Sequence, residues 1–134
     1  MGAKINNIRV LLTKPNLDDH DRGIRQVAAG LREAGLEVIF TRFKFPEEIM
    51  KTAIDEDVNM IGISFLSGAH MYVSSELMRL MEASHCGDIP VILGGIIPDD
   101  DVPQLQKIGV SKVFGPGTFV RDITKYVLNQ LGTN

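Results

Sequence analysis

Five short apolar runs alternate with five amphipathic stretches along this chain, and that alternation constrains its fold more than any other feature. The first run, residues 8–13, is apolar on both faces from Val10 to Leu12, as buried parallel strands are. Ile24, Val27, Ala28, Leu31 and Ala34 then recur at helical spacing, and Gly35 stands where such a helix ends. Residues 36–41 read as the second strand. Pro46 opens the second helix, with Glu47 and Glu48 in the first turn, where the helix dipole favours acids. Its apolar face is Ile49, Met50, Ala53 and Ile54. Residues 60–64 form the third strand, and the helix after them carries Val73, Leu77, Leu80 and Met81 on one side. The fourth strand, 90–93, is stopped by Gly94-Gly95. A helix after Asp99-Asp100-Asp101 turns Val102, Leu105 and Ile108 inward and ends at Gly109. Residues 112–114 make a short fifth strand, and the last helix buries Val120, Ile123, Val127 and Leu131.

Strict alternation demands right-handed crossovers and a parallel sheet covered on both faces. For five strands the expected solution is a flavodoxin-like (Rossmann-like) α/β fold with strand order 2-1-3-4-5 and helices on both faces. A length of 134 residues allows one such domain over the whole chain, with residues 1–7 as a lead-in and 132–134 as a tail. In this order the loops after strands one, three, four and five open on the same sheet edge, beside the switch point between strands one and three. Those loops hold His20, Ser64, Gly94-Gly95 and Gly115-Pro116-Gly117-Thr118, so the ligand is expected on the C-terminal edge.

The bulk properties exclude several partners. A net charge of −3 without any Lys/Arg run argues against a nucleic-acid surface. No apolar stretch approaches the roughly 20 residues of a membrane helix, and the start of the chain lacks a signal-peptide core. The single cysteine, Cys86, forms no internal disulfide, which fits a reducing cytoplasm.

The loop after strand one is the most particular stretch. In Lys14-Pro15-Asn16-Leu17-Asp18-Asp19-His20-Asp21-Arg22-Gly23 one imidazole has acids on both sides and a glycine three residues on. Asp18 can take the proton of one ring nitrogen and leave the other for a metal, with Lys14 holding the carboxylate, as outer partners of metal-ligating histidines do. A solvated loop histidine explains the same residues equally well. His70 and His85 lie in other segments, so nothing completes a tetrahedral zinc site. A lone imidazole suits a metal that brings most of its own ligands. Gly94-Gly95 reads either as a strand-ending turn or as room for a large ligand, and Ser64 as a structural or a binding hydroxyl. Gly115-Pro116-Gly117-Thr118 offers backbone amides for one phosphate but is not a P-loop. No G-x-G-x-x-G follows the first strand, no Asp ends the third as a phospho-acceptor would, and there is no G-x-S-x-G elbow.

Taken together, Asp18-x-His20-x-x-Gly23, Ser64-x-Leu66 and Gly94-Gly95 resemble the cobalamin-binding signature of the base-off, His-on corrinoid proteins. Lys14-Pro15, Asp21-Arg22-Gly23 and Val113-Phe114-Gly115-Pro116-Gly117-Thr118 are most similar to the acyl-CoA mutases of the methylmalonyl-CoA mutase group. The resemblance runs from about residue 8 to residue 131. It implies that His20 replaces dimethylbenzimidazole as lower axial ligand of cobalt, hydrogen-bonded by Asp18 with Lys14 behind it. Ser64 and Leu66 would contact the base of the displaced nucleotide tail, Gly94 and Gly95 would leave it room, and Gly117 and Thr118 would lie near its ribose and phosphate. The implied cofactor is adenosylcobalamin, and the implied activity is a radical 1,2-rearrangement of a methylmalonyl-, isobutyryl- or 2-hydroxyisobutyryl-CoA-type substrate. The implied partner is a large TIM-barrel subunit that binds the acyl-CoA, without which this small subunit is inactive. A glutamate-mutase-type small subunit and a non-catalytic corrinoid carrier or sensor share parts of the signature. Asn16 and Asp19 stand where the group usually has glycine, and Ser67-Gly68-Ala69-His70 carries its glycine one position early.

Overall fold

The computed structural model describes residues 8–132. Residues 1–7 of the lead-in and 133–134 of the tail lie outside them. Five parallel strands, β1 (Arg9–Pro15), β2 (Glu37–Phe43), β3 (Met60–Phe65), β4 (Val91–Gly95) and β5 (Lys112–Val113), pair in the order β2-β1-β3-β4-β5. Helices α1 (Arg22–Glu33) and α5 (Val120–Gln130) cover one face of this sheet. The other face carries α2 (Pro46–Asp55), α3 (His70–Ala83) and the short α4 (Val102–Lys107). The flavodoxin-like topology expected from the alternation is the one observed.

The two cores follow from the pleat. Leu11 of β1 points into the layer beneath α2, α3 and α4, and its neighbours Val10 and Leu12 point beneath α1 and α5. All three are at most 3% exposed, which explains why β1 reads as a continuous apolar run. Gly35, at φ +97°, ends α1: its N–H donates to Arg32 and that of Leu36 to Leu31, the paired bonds of a Schellman cap. No helix among the described residues is long and apolar enough to cross a membrane.

Four expectations need correction. Ile54, expected on the apolar face of α2, is 52% exposed, and that face is Ile49, Met50 and Ala53. β1 and β2 run two residues further than their apolar patterns, because Lys14 and Pro15 still pair with Arg42 and Phe43. Gly94 and Gly95 do not stop β4; they are its last two residues, opposite Ser64 and Phe65 of β3. Ile108 is not inward. A 3-10 turn (Asp99–Asp101) precedes α4, which ends at Lys107, and Ile108 caps the helix at 37% exposed. Gly109, at φ +121°, then swings the chain so that Val110 enters the core instead.

Candidate functional site

The loop between β1 and α1 is built around a buried cation. Lys14 is 1% exposed, and an ammonium group so placed needs acceptors. It donates to the backbone carbonyl of Asp18 and, at 2.9 Å, to that of His20. The turn closed by the Asp18 N–H on Pro15 O (3.1 Å) brings those carbonyls back over the end of β1. Lys14 therefore pins the backbone and not, as expected, the Asp18 carboxylate. That carboxylate faces the loop after β3, where Leu66 N–H donates to Oδ2 at 3.0 Å and the Ser67 hydroxyl donates to Oδ1. Asp18 is not hydrogen-bonded to His20 here. The His20 ring is exposed and makes no hydrogen bond among the described residues.

The far end of the loop is held by Asp21, which accepts from Arg25 Nε at 2.9 Å and from Arg42 on β2. Both guanidinium groups lie against the Phe40 ring, 5.2 and 5.9 Å from its centre. The hydrogen bond from Arg25 holds the Asp21 carboxyl below its ordinary pKa, with the nearby charges of Arg25, Arg42 and Lys14 adding to the effect. A carboxylate depressed in this way keeps its ties at neutral pH and loses them only as pH falls through its lowered folded value.

Replacing Lys14 with methionine keeps the buried stem but leaves two carbonyls unpaired. Amide exchange across residues 16–21 is expected to rise at least about tenfold, while the sheet core exchanges as before. Hydrogen–deuterium exchange read by mass spectrometry checks this.

Beside the loop, between the sheet and helices α1 and α5, lies a cavity of about 200 Å3. Leu12, Ile92 and Phe114 give it apolar walls, and Ser64 and Thr118 contribute hydroxyls. The space exists because side chains are missing. A Cβ built on Gly23, Gly115 or Gly117 meets nothing within 4 Å, and one on Gly94 meets only Phe114 O at 4.0 Å. Gly117, at φ +85°, also requires glycine for its backbone, and Thr118 donates its hydroxyl to Gly115 O at 2.7 Å to close the turn ahead of α5. The cavity is smaller than the roughly 300–1,000 Å3 of pockets that enclose a whole small ligand. It suits one arm of a larger one.

Of the residues singled out in the sequence, Gly23, Ser64, Gly94, Gly95, Gly117 and Thr118 line this cavity together. Asp18, His20 and Leu66 lie outside its lining, joined to one another through the loop and the Asp18–Leu66 bond. Sequence reading missed Ile24, Val27, Val120 and Ile123, which wall the cavity from the helices. Their helical spacing was visible, but periodicity does not separate a face that packs from one that borders a void. It also missed Arg42 and Ser67, whose partners lie 21 and 49 residues away in the chain.

The other histidines serve elsewhere. His70 is buried, its Nε2 2.7 Å from Asp101 and its ring edge-on to Phe65, and ties the β3 and β4 loops together. His85 follows α3 at the opposite sheet edge. Among the described residues no three His, Cys, Asp or Glu side chains gather where they could hold a metal ion. The imidazole presented free on the C-terminal edge is that of His20.

Residues 8–122 match the B12 binding domain family, and the chain belongs to it: it is a cobalamin-binding domain. Within that family it is homologous to small subunits of acyl-CoA mutases. It is 46% identical over 107 residues to the 2-hydroxyisobutanoyl-CoA mutase small subunit of Aquincola tertiaricarbonis, covering 79% of each chain. It is 45% identical over 121 residues to the pivalyl-CoA mutase small subunit of Xanthobacter autotrophicus, covering 90% of this chain and 81% of that one. Among solved structures, a cobalamin-binding protein of Desulfitobacterium hafniense superposes with a TM-score of 0.77 at 19% identity. The superposition covers 92% of this chain and 58% of that one, and shows the shared fold.

Proposed function

We propose that this chain is the cobalamin-binding subunit of an adenosylcobalamin-dependent acyl-CoA mutase, inactive alone, in which His20 is the lower axial ligand of cobalt. The observation that carries the reading is a free imidazole on a pinned loop, beside a narrow glycine-lined cavity. An exposed ring with no hydrogen bond can approach a metal centre above the sheet edge. The cavity, too small for a whole cofactor, fits the nucleotide arm that His20 would displace. On this reading Gly94 and Gly95 leave that arm its room, Ser64 on the cavity wall and Leu66 just outside it contact its base, and Gly117 and Thr118 lie near its ribose and phosphate. Gly23 opens the entrance between the loop and α1. Adenosylcobalamin, when bound, supplies a radical by homolysis of its cobalt–carbon bond. The chain's own part is to hold, orient and exclude water.

The two small-subunit relatives are named for 2-hydroxyisobutanoyl-CoA and pivalyl-CoA, both with a branched acyl group. A short branched acyl-CoA is the substrate class we assign to the complex, bound on a separate large subunit with a TIM barrel. The surface supports such a partner. Of the seven exposed large hydrophobics among the described residues, Leu17, Phe45, Tyr72, Ile96 and Phe119 follow the C-terminal ends of strands, and Ile54 and Ile108 stand at the ends of α2 and α4. Leu17 is 90% exposed at the tip of the His20 loop. An apolar edge of this kind is stabilised when a second protein covers it together with the cofactor. The free thiol of Cys86 accords with a cytoplasmic setting.

A cobalamin titration of the full chain, with and without a candidate large subunit, tests the axial role. Wild type is expected to give a cob(II)alamin electron paramagnetic resonance signal split by a protein imidazole. His20→Ala should lose that splitting and bind at least about tenfold more weakly. An unchanged splitting in His20→Ala would remove the assignment.

A further inference from the structure

We propose that Ser67 sets how readily His20 takes up cobalt, by competing with His20 for the Asp18 carboxylate. The inference rests on His20 being the axial ligand and adds a positioning residue to that site. Asp18 is 4% exposed and both of its oxygens are committed to the β3 loop, Oδ2 to Leu66 N–H and Oδ1 to the Ser67 hydroxyl. An imidazole that ligates a metal through one nitrogen is oriented by an acceptor at the other. Asp18 stands two residues before His20, on backbone that Lys14 pins at both positions, and is the acceptor this reading assigns to the imidazole. In this structure, however, it is occupied elsewhere.

A carboxylate has two oxygens, and one can keep the backbone bond to Leu66 while the other turns to His20. The bond that has to be given up is then the one to Ser67. Its hydroxyl belongs to an exposed residue and can turn to water once released. The Leu66 N–H has no such freedom, being fixed at the end of β3. Ser67 thus holds Asp18 in the arrangement that leaves the imidazole idle, and its release allows the arrangement that orients it. It acts through Asp18 and touches neither metal nor cofactor.

The test uses the full chain labelled with nitrogen-15 histidine, loaded with cob(II)alamin, as wild type, Ser67→Ala, Ser67→Thr and His20→Ala. Nitrogen splitting of the cobalt signal reports the bound imidazole, and stopped-flow absorbance gives the rate at which it forms. Ser67→Ala is expected to raise that rate and the ratio of bound to unbound imidazole by roughly tenfold, as loss of one charge-assisted hydrogen bond implies. Ser67→Thr, which keeps the hydroxyl, should follow wild type, whereas Ser67→Ala should lower the thermal midpoint of the cofactor-free chain by roughly 5 °C while circular dichroism shows it still folded. Equal rates and ratios in wild type and Ser67→Ala, with the histidine splitting present, would overturn the role of Ser67 and leave His20 standing. Slower or lost ligation in Ser67→Ala would also overturn it, because Ser67 would then be a support. No histidine splitting even in wild type would remove the axial reading and this inference with it.

Discussion

Gly95→Ala is expected to destabilise the domain by about 3 kcal/mol or more, a drop of roughly 10 °C in thermal midpoint. A Cβ at this position would stand 2.2 Å from the carbonyl oxygen of Phe65 and 2.9 Å from its nitrogen, both backbone atoms that a rotamer change does not move. The backbone at φ +99° adds the strain of a left-handed conformation for an L-residue. The contact is fixed by the sheet itself, since Phe65 and Gly95 are register partners and Ile96 N–H donates to the same Phe65 oxygen at 2.8 Å. Relief would mean parting β3 from β4 at the edge where the site is built. Differential scanning calorimetry of the purified variant measures the loss. A midpoint within a degree or two of wild type would show that the strand ends yield easily.

Its neighbour should behave in the opposite way. Gly94→Val is expected to leave the thermal midpoint nearly unchanged while weakening cobalamin binding by roughly a hundredfold or more, because the branched side chain occupies space meant for the ligand. Gly94 has no positive φ, and the atom nearest a built Cβ is Phe114 O at 4.0 Å, so the strand accepts a side chain there. The side chain would enter the cavity beside Ile92 and Gly117. Equilibrium titration with cobalamin, set beside calorimetry on the same preparation, separates the two effects. Unchanged affinity would mean that no part of the cofactor reaches this slot. Adjacent glycines are thus expected to answer two different demands, one from the backbone and one from the ligand.

Much of this was legible in the chain alone. Runs such as Val10-Leu11-Leu12 and Met60-Ile61-Gly62-Ile63 announce buried parallel strands, and the helical spacing between them dictates crossovers. The strand order, and with it the edge on which the loops converge, follows from connection rules that need no coordinates. Element ends were less legible. β1 and β2 extend past their apolar residues because each gives the other pairing partners, which is not a local effect, and Ile108 is turned out because α4 ends at Lys107 and Gly109 sends Val110 into the core.

The candidate site divides along the same line. Residue types and spacing within one loop are local properties, so Asp18, His20 and Gly23 could be picked out, and so could Gly94-Gly95 and Gly117-Thr118. What those side chains touch depends on segments that folding brings together. The sequence suggested Lys14 for the Asp18 carboxylate, yet the turn after Pro15 gives Lys14 two carbonyls instead. It offered no hint that Arg42 would grip Asp21 or that Ser67 would take Asp18. By itself the sequence determined the fold class, the strand order and the edge on which the loops of the candidate site converge, since these rest on periodicity and chain connection. Only the tertiary structure decided which of two neighbouring glycines the backbone needs and which groups the Asp18 carboxylate takes as partners. Those choices are made by contacts of a few ångströms between residues far apart in the chain.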